Sequence, residues 1–497
     1  MSKGSAPASR NAPPRASAMI EALRGLGYSP AAAIADVIDN SIAAGASEID
    51  VQFNWSGKQS SIAIVDNGSG MDATALDLAM RLGERSPLDH RCESDLGRFG
   101  LGLKTASFSQ ARRLTVASRR EGPVSCLRWD LDVLRDDPKG EWTLLEGAAP
   151  ESATLLAPLE KMTSGTIVLW ENLDRIVSAG VTDKHFLTLV DRVEKHLSMV
   201  FHRFLEGRRL TVRINGSPIR PWDPFLSARS DTWRSGADRF PVNGREITVE
   251  GFVLPHKDRL PPKVYEDAAG PDGWTSQQGF YVYRHERLLV AGHWLGLGQG
   301  RSWTKEEPFK LARIRLDIPN SADEDWKIDI RKSTARPPQE ARQRLSLFAE
   351  DVRQRARRVF AFRGKRERGS KSGPISPAWR ATRSADGLRY RIERDHPAVA
   401  SVLDQSGAMR DDVVAMLRVI EETVPVQQIW LDTAEAKEAP RIGFDGMPPE
   451  EVKSIAQTLF NNLVIRKGMS EDAARRQLAV TEPFDNWTGF IATLKRT

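Results

Sequence analysis

The sequence predicts an α+β fold. Apolar residues recur at helical spacing in some stretches and in short β-rich runs in others, and the two kinds interleave irregularly to about residue 338. Pro337-Pro338 then punctuates the chain, and the part beyond residue 375 reads as mostly helical with one hairpin at its start. A length of 497 residues suits about three domains.

Residues 1–17, rich in Ser, Ala, Pro and Arg, read as a flexible tail. From Ala18 to Gly45 the spacing predicts two helices, the second opening with Ser29 as N-cap and Pro30 as first residue. Glu48 to Phe53 and Ser61 to Val65 are expected strands around the turn Trp55-Ser-Gly-Lys. Thr74 to Leu82 has helix spacing, and residues 83–97 read as a polar lid. A glycine-rich run from Gly97 leads into another helix. Strands are expected at Leu114–Ser118, Ser125–Leu131 and Gly165–Trp170, closing a first domain at 18–175. A second, at 176–338, starts with a long helix over 183–205. Strands follow at Leu210–Ile214, Ile247–Val253, Gly279–Tyr283, Leu288–Val290, Ala312–Asp317 and Lys327–Arg331. Residues 339–374 form a basic helix and linker. In the last domain, 375–497, Trp379–Arg383 and Leu388–Arg394 flank Asp386-Gly387 as a hairpin.

Composition excludes several classes. Hydrophobic residues at 40% and charged residues at 28% are ordinary for a globular protein, and no apolar run approaches a membrane span. Cys92 and Cys126 make neither a disulfide framework nor a metal-ligand pattern. Free thiols and the lack of a signal peptide point to a cytoplasmic location. The net charge of +6 is modest, so its placement matters more than its size.

Two short stretches carry the chemistry. In Asp36-Val-Ile-Asp39-Asn40-Ser41 the four-residue spacing puts Asp36 and Asn40 on one helix face, where their oxygens suit a hard cation such as magnesium. Asp66-Asn-Gly68-Ser-Gly70-Met71 ends a strand with a carboxylate and two glycines that allow close backbone approach to a flat ligand. Gly97-Arg-Phe-Gly100-Leu101-Gly102-Leu103-Lys104-Thr105 runs from loop into helix, the arrangement that offers backbone amides to phosphate oxygens. Singly, each stretch suits a turn or a solvent-facing helix. Together, on the expected elements, they describe a nucleotide site.

These stretches, followed by Gly165-Thr166, resemble in order the four motifs of the GHKL (Bergerat-fold) ATPases. The group includes gyrase-type subunits, heat-shock chaperones, histidine kinases and MutL, and the wording from Gly97 to Ser107 looks most like the MORC branch. The motif match covers residues 17–175, and a weaker match of pattern reaches about 335. The resemblance implies a Bergerat-type α/β sandwich for ATP, then an α+β transducer domain. It makes Asn40 the ligand of the magnesium carried by the triphosphate and Asp66 the acceptor of the adenine amino group. Met71 lies on the purine, and Thr166 supports Asp66. Gly68 and Gly70 line the base, and the run Gly97, Gly100 to Thr105 meets the phosphates, with Lys104 adding charge. Asp36 stands where the family usually has a glutamate that activates the attacking water. Aspartate is one methylene shorter, so turnover is expected to be slow. A second departure is Ala43, where the MutL pattern has a carboxylate.

In MutL, gyrase and MORC relatives a basic residue of the transducer reaches the γ-phosphate. Lys332, just after the expected strand Lys327–Arg331, is the candidate here. ATP commonly closes such proteins into a dimer through the N-terminal segment and lid. From Arg353 to Lys371 the chain has nine basic residues and one acidic, Glu367. Arg353, Arg357, Arg358, Arg363, Lys365, Arg366 and Lys371 therefore form a candidate surface for duplex DNA, recognised through phosphates without sequence preference. The expectation is an ATP-dependent homodimeric clamp on DNA, in repair, restriction or phage (antiviral) defence, beside a separate nuclease or helicase and away from membranes. The rival is a chaperone-like clamp on protein clients.

Overall fold

Ser29 and Pro30 start a helix as their chemistry dictates. The Ser29 hydroxyl accepts from the Ala32 amide at 3.2 Å, and Pro30 fills the first helical position, where its missing N–H costs nothing. This helix, α2 (Pro30–Ala43), follows α1 (Ala16–Arg24) and precedes β1 (Glu48–Asn54), β2 (Ser61–Asp66), α3 (Ala73–Met80) and α4 (Gly102–Phe108). The computed structural model describes residues 14–25, 27–83, 102–178, 180–322, 325–329, 334–361, 376–384, 387–429 and 450–496. They divide between two units, Met1–Arg363 and Gly364–Thr497. Residues 1–13 of the expected tail over 1–17, most of the lid over 83–97, and Gly97, Gly100, Leu101 and Lys332 lie outside the described residues, as do Arg363, Lys365, Arg366 and Lys371, whereas Ala16 and Ser17 of that tail already belong to α1.

The first unit continues with β3 (Arg113–Arg120), β4 (Ser125–Asp130), β5 (Leu145–Glu146), β6 (Ser164–Glu171), β7 (Thr211–Ile214) and β8 (Ser217–Pro218). They form one eight-stranded sheet in the order β5-β4-β3-β6-β2-β1-β7-β8. Side chains alternate across it. Ile62 and Ile64 of β2, with Val168 and Trp170 of β6, join the large core under α2, whereas Ala63, Ile167 and Leu169 enter a smaller core with Leu159. The sheet draws strands from both sides of residue 176, because β7 pairs parallel to β1, with Glu48 opposite Thr211.

A second sheet holds β9 (Trp233–Val242), β10 (Arg245–Val253), β11 (Gly279–Arg284), β12 (Arg287–His293) and β13 (Ala312–Ile318), ordered β12-β11-β13-β10-β9. The helix Gln339–Ala361 packs Leu345, Ala349, Val352 and Ala356 into its core. Gly251 makes that approach close: a Cβ there would lie 2.5 Å from Val352 Cγ2. The helix Asp183–Val200 buries Phe186, Val193 and Leu197 in the core that α2 shares with Phe252, Tyr281, Tyr283 and Leu288 of the second sheet.

Three expectations need correcting. The helix expected over 183–205 breaks at Phe201, whose backbone (φ −105, ψ 13) separates Asp183–Val200 from His202–Glu206. The strand expected at Lys327–Arg331 is not formed over its described part: Lys327 has φ 47, a left-handed conformation that ends extended backbone. Strand β9 was not expected. It is an edge strand that buries Phe240 and Val242 but is otherwise largely exposed, so its sequence lacks the apolar alternation of its neighbours.

In the second unit β14 (Trp379–Ser384) and β15 (Gly387–Ile392) form the expected hairpin, with Trp379 opposite Ile392. The helices Pro397–Gln405, Arg410–Glu422, Glu450–Asn461, Glu471–Leu478 and Thr488–Thr493 follow. Ala456, Phe460, Leu463, Leu478 and Ile491 build their core. Glu421 ties Arg410–Glu422 to the hairpin by accepting from Arg391, Arg394 and the Ile392 amide. His396 is buried and its Nε2 meets the Glu482 carbonyl at 2.7 Å, a structural role. No helix among the described residues is long and apolar enough to cross a membrane.

Candidate nucleotide site

Strand β2 delivers Asp66 to a buried point beside α2. Its carboxylate accepts from the Ser41 hydroxyl at 2.8 Å and the Gly68 amide at 2.9 Å, and the Thr166 backbone bonds it from β6. Burial pushes the carboxyl up from its ordinary 3.8, and these three donors pull the other way. The glycines after it are sterically required. A Cβ on Gly70, at φ +65, would lie 1.8 Å from the Arg119 carbonyl oxygen, and one on Gly165 would lie 2.3 Å from that of Asp66. The Met71 amide donates to Ser118 Oγ at 2.8 Å, and Ser118 in turn meets Thr166 Oγ1 at 2.9 Å. Thr166 thus supports Asp66 through its backbone and Met71 through its hydroxyl and Ser118.

Helix α2 is covered from Ala33 to Asp39, whereas Asn40 is exposed. An exposed amide one turn after the buried Asp36 is what a metal-bearing ligand approaching this end of the helix requires. Burial, and then the nearby Asp36 carboxylate, push the pKa of the Tyr28 phenol up, while Thr105 pulls it down. Helix α4 starts at Gly102, where a Cβ would meet none of the described residues within 4 Å. Leu103 is half-buried there, and Thr105 is buried. Lys104, expected to add charge near the phosphates, is buried, and its ammonium donates to the Ala79 carbonyl at 2.8 Å, near the end of α3.

The second sheet reaches this helix. Arg287 of β12 donates to the Asp39 carboxylate at 2.8 Å, a pair with both side chains buried. His196 lies beside it. Burial and the Arg287 charge push its pKa down to about 4 against the opposing pull of Asp39, although part of the residue still reaches solvent. Asp329, three residues before Lys332, is near enough to Tyr28 to raise the phenol's pKa.

The basic helix corrects one expectation. Arg353 is not a surface cation. It is buried with its guanidinium 3.7 Å from the Phe309 ring centre, 4.5 Å from Trp303 and 4.7 Å from Trp294, so it holds the helix to the sheet. Arg357 and Arg358 are exposed. Among the described residues one cluster has metal-ligand spacing, His202, Glu206 and Asp223. It is internally engaged: Asp223 accepts from the Phe225 and Ser227 amides, and His202 Nε2 meets the Tyr283 hydroxyl.

Sequence reasoning missed Ser41, Ser118, Tyr28 and Arg287. Ser41 had a signal, since it follows Asn40 within the motif. The others reach the site from separate segments and carry no local mark.

Residues 28–166 match the family described as "Histidine kinase-, DNA gyrase B-, and HSP90-like ATPase". A DNA mismatch repair protein MutL of Rhizobium johnstonii is 38% identical over 92 residues, 18% of this chain and 15% of that protein. The ATPase morc-1 of Caenorhabditis elegans is 25% identical over 290 residues, 48% of this chain and 32% of that protein. A MutL of Bradyrhizobium is 31% identical over 127 residues, 25% of this chain and 20% of that protein. The chain thus spans a third or less of the length of these relatives. Residues 28–166 are an ATPase domain of the GHKL superfamily, near its MORC and MutL branch.

Proposed function

We propose that this GHKL domain binds ATP with magnesium, hydrolyses it, and uses the cycle to close a homodimeric clamp on duplex DNA. One observation carries the reading. The Asp66 carboxylate, the Gly68–Gly70 bend and the Ser41–Asn40 end of α2 meet at one place: Ser41 bonds Asp66 directly, and Gly68 folds back onto the same carboxylate.

The bound nucleotide would supply the phosphoanhydride bond, and its magnesium the charge neutralisation that phosphoryl transfer needs. The chain's own residues bind and orient. Asp66 accepts from the adenine amino group and so selects adenine. Gly68 and Gly70 admit the base, Met71 covers it, and Ser118 fixes the Met71 amide. Asn40 presents its amide oxygen to the magnesium. Asp36 takes a proton from the attacking water. The segment from Gly97 through Gly100, Leu101, Gly102 and Leu103 cradles the phosphates, with Lys104 and Thr105 behind it. Lys332 is the proposed contact to the γ-phosphate.

DNA binding rests on the basic stretch behind the ATPase unit and on the matched MutL proteins, which are named for DNA mismatch repair. Arg357, Arg358, Arg363, Lys365, Arg366 and Lys371 are the proposed contacts. Protein clients are the second reading, favoured by the exposed Met409, Met416, Val419 and Ile420 around the helix Arg410–Glu422. The deciding experiment measures ATP turnover and mass in solution, with and without duplex DNA and a non-hydrolysable analogue. A dimer formed only with the analogue, and turnover changed by DNA, are expected. A chain that neither binds nor hydrolyses ATP refutes the proposal. Salt-independent indifference to DNA with intact turnover moves it to the client reading.

A further inference from the structure

We propose that Arg287 is a positioning residue for the magnesium ligand: by holding Asp39 from the second sheet, it fixes the rotation of α2 that aims the Asn40 amide at the metal carried by the nucleotide. The inference rests on the reading of Asn40 as that ligand.

Three consecutive residues near the end of α2 face three ways, because each step along a helix turns the chain by about 100°. Asp39 is buried, and its carboxylate accepts from Arg287 Nε of β12 at 2.8 Å. Asn40 is exposed. Ser41, about 200° round from Asp39, is buried again and donates to the Asp66 carboxylate of β2 at 2.8 Å. The exposed amide therefore stands between two polar pins, one in each sheet. Side chains reach about 5–6 Å from a helix axis, so a turn of about 10° carries the amide oxygen through about 1 Å. Magnesium demands near-ideal octahedral geometry at about 2.1 Å, so a shift of half a bond length disrupts ligation.

Arg287 is itself held on several sides. It opens β12 after the two-residue turn His285-Glu286, whose φ values of 45 and 67 are both left-handed, the backbone of a tight hairpin, and Arg284 stands opposite it. Glu286 of that turn accepts from Arg209. The Arg287 guanidinium also donates to the Leu288 carbonyl and lies 5.0 Å from the ring centre of Phe201, at the break after the helix Asp183–Val200. The Arg287 and Asp39 side chains are 5% and 1% exposed, so water does not compete for their bond. A lysine here would supply the charge but not the planar fork that bonds Asp39 and Leu288 together.

The test separates aim from stability. Arg287→Met with Asp39→Leu removes the pin and keeps the seam filled by apolar groups. Calorimetric titration of a non-hydrolysable ATP analogue into the full chain, with magnesium and with a chelator, measures the affinity gained from the metal. We expect that gain to fall about tenfold in the double variant, the loss usual for groups that orient a metal ligand. Affinity in the chelator should stay near that of the unaltered chain. The magnesium concentration for half-maximal turnover should rise by a similar factor, and Arg287→Lys should lie between. In an Asn40→Ala background the double change should alter neither reading further. A seam that serves stability alone would lower the melting temperature and leave the gain from magnesium intact. That result in the double variant, or in Arg287→Lys where the double variant does not fold, overturns this inference and leaves the ATPase reading standing. An unaltered chain that binds the analogue no better with magnesium than without it overturns both.

Discussion

At Asp66 an ionisable carboxyl is buried among the hydroxyl of Ser41 and the backbone of Gly68 and Thr166. Its folded pKa is raised, with burial as the largest cause. The folded protein therefore holds this proton more readily than the unfolded chain does. The group's contribution to stability is fully present below 3.8 and is lost as pH rises through the folded value. An adenine amino group needs the opposite, an ionised acceptor. The thermal shift produced by an ATP analogue should therefore grow as pH rises from 3.8 through the raised folded value. Scanning fluorimetry across pH would test this, and Asp66→Ala should abolish the shift at every pH. Asp36→Ala, which leaves the base pocket untouched, should keep the shift and lose phosphate release. Gly70→Ala tests the backbone rather than the chemistry. At φ +65, with its new Cβ 1.8 Å from the Arg119 carbonyl oxygen, the chain must open β3 away from the bend. It should melt well below the unaltered protein and bind no nucleotide.

Helix α2 works as an element because neighbouring residues near its C-terminal end meet different surroundings. Asn40 is exposed, while Asp39 beside it is buried against Arg287 of β12. That pair is one direct tie between α2 and the second sheet, beside the core they share. Breaking a buried ion pair by removing one member costs about 3–5 kcal/mol, because the other charge stays buried, whereas replacing both with apolar groups costs much less. Denaturant unfolding should show Arg287→Ala strongly destabilised and Arg287→Met with Asp39→Leu largely recovered. If the tie carries the nucleotide signal, the double variant should still bind ATP and lose the analogue-dependent dimer. His196 sets the acid limit of the same seam. Its folded pKa is lowered to about 4 from 6.5, so its stabilising contribution is present above 6.5 and is lost as pH falls towards 4. His196→Gln should flatten the stability profile over that interval. The sequence marked α2, its cap and its motif, because those signals are contiguous. It did not mark Arg287, which reaches Asp39 from 248 residues away. Nor did it mark β9, whose residues follow the needs of an edge rather than a core.

Across the whole chain, legibility followed burial chemistry rather than charge. The motifs could be read because Asp36, Asp66, Gly68 and Gly70 stand in short contiguous runs whose order matches the family. A run of basic residues carries no such constraint, and so Arg353 was grouped with Arg357 and Arg358 although their environments differ. Arg353 lies among Trp294, Trp303 and Phe309, and its Nε and Nη1 make no hydrogen bond to the described residues. In so desolvated a site a cation–aromatic contact contributes about 2 kcal/mol or more, so Arg353 serves the fold. Arg357 and Arg358 lie one turn further on and are exposed. The two classes should separate cleanly in one experiment. Arg353→Ala should lower the melting temperature and release the helix Gln339–Ala361 from the second sheet, seen as faster hydrogen exchange over that segment. Arg357→Gln with Arg358→Gln should leave melting and ATP turnover in the absence of DNA unchanged. Every DNA phosphate that is no longer neutralised should reduce the slope of log affinity against log salt by about 0.9, so the pair should flatten it by about 2, uniformly across DNA sequences. A double variant with the original slope would remove this helix from the DNA surface and leave the masses and turnover measured with protein clients to decide what the clamp holds.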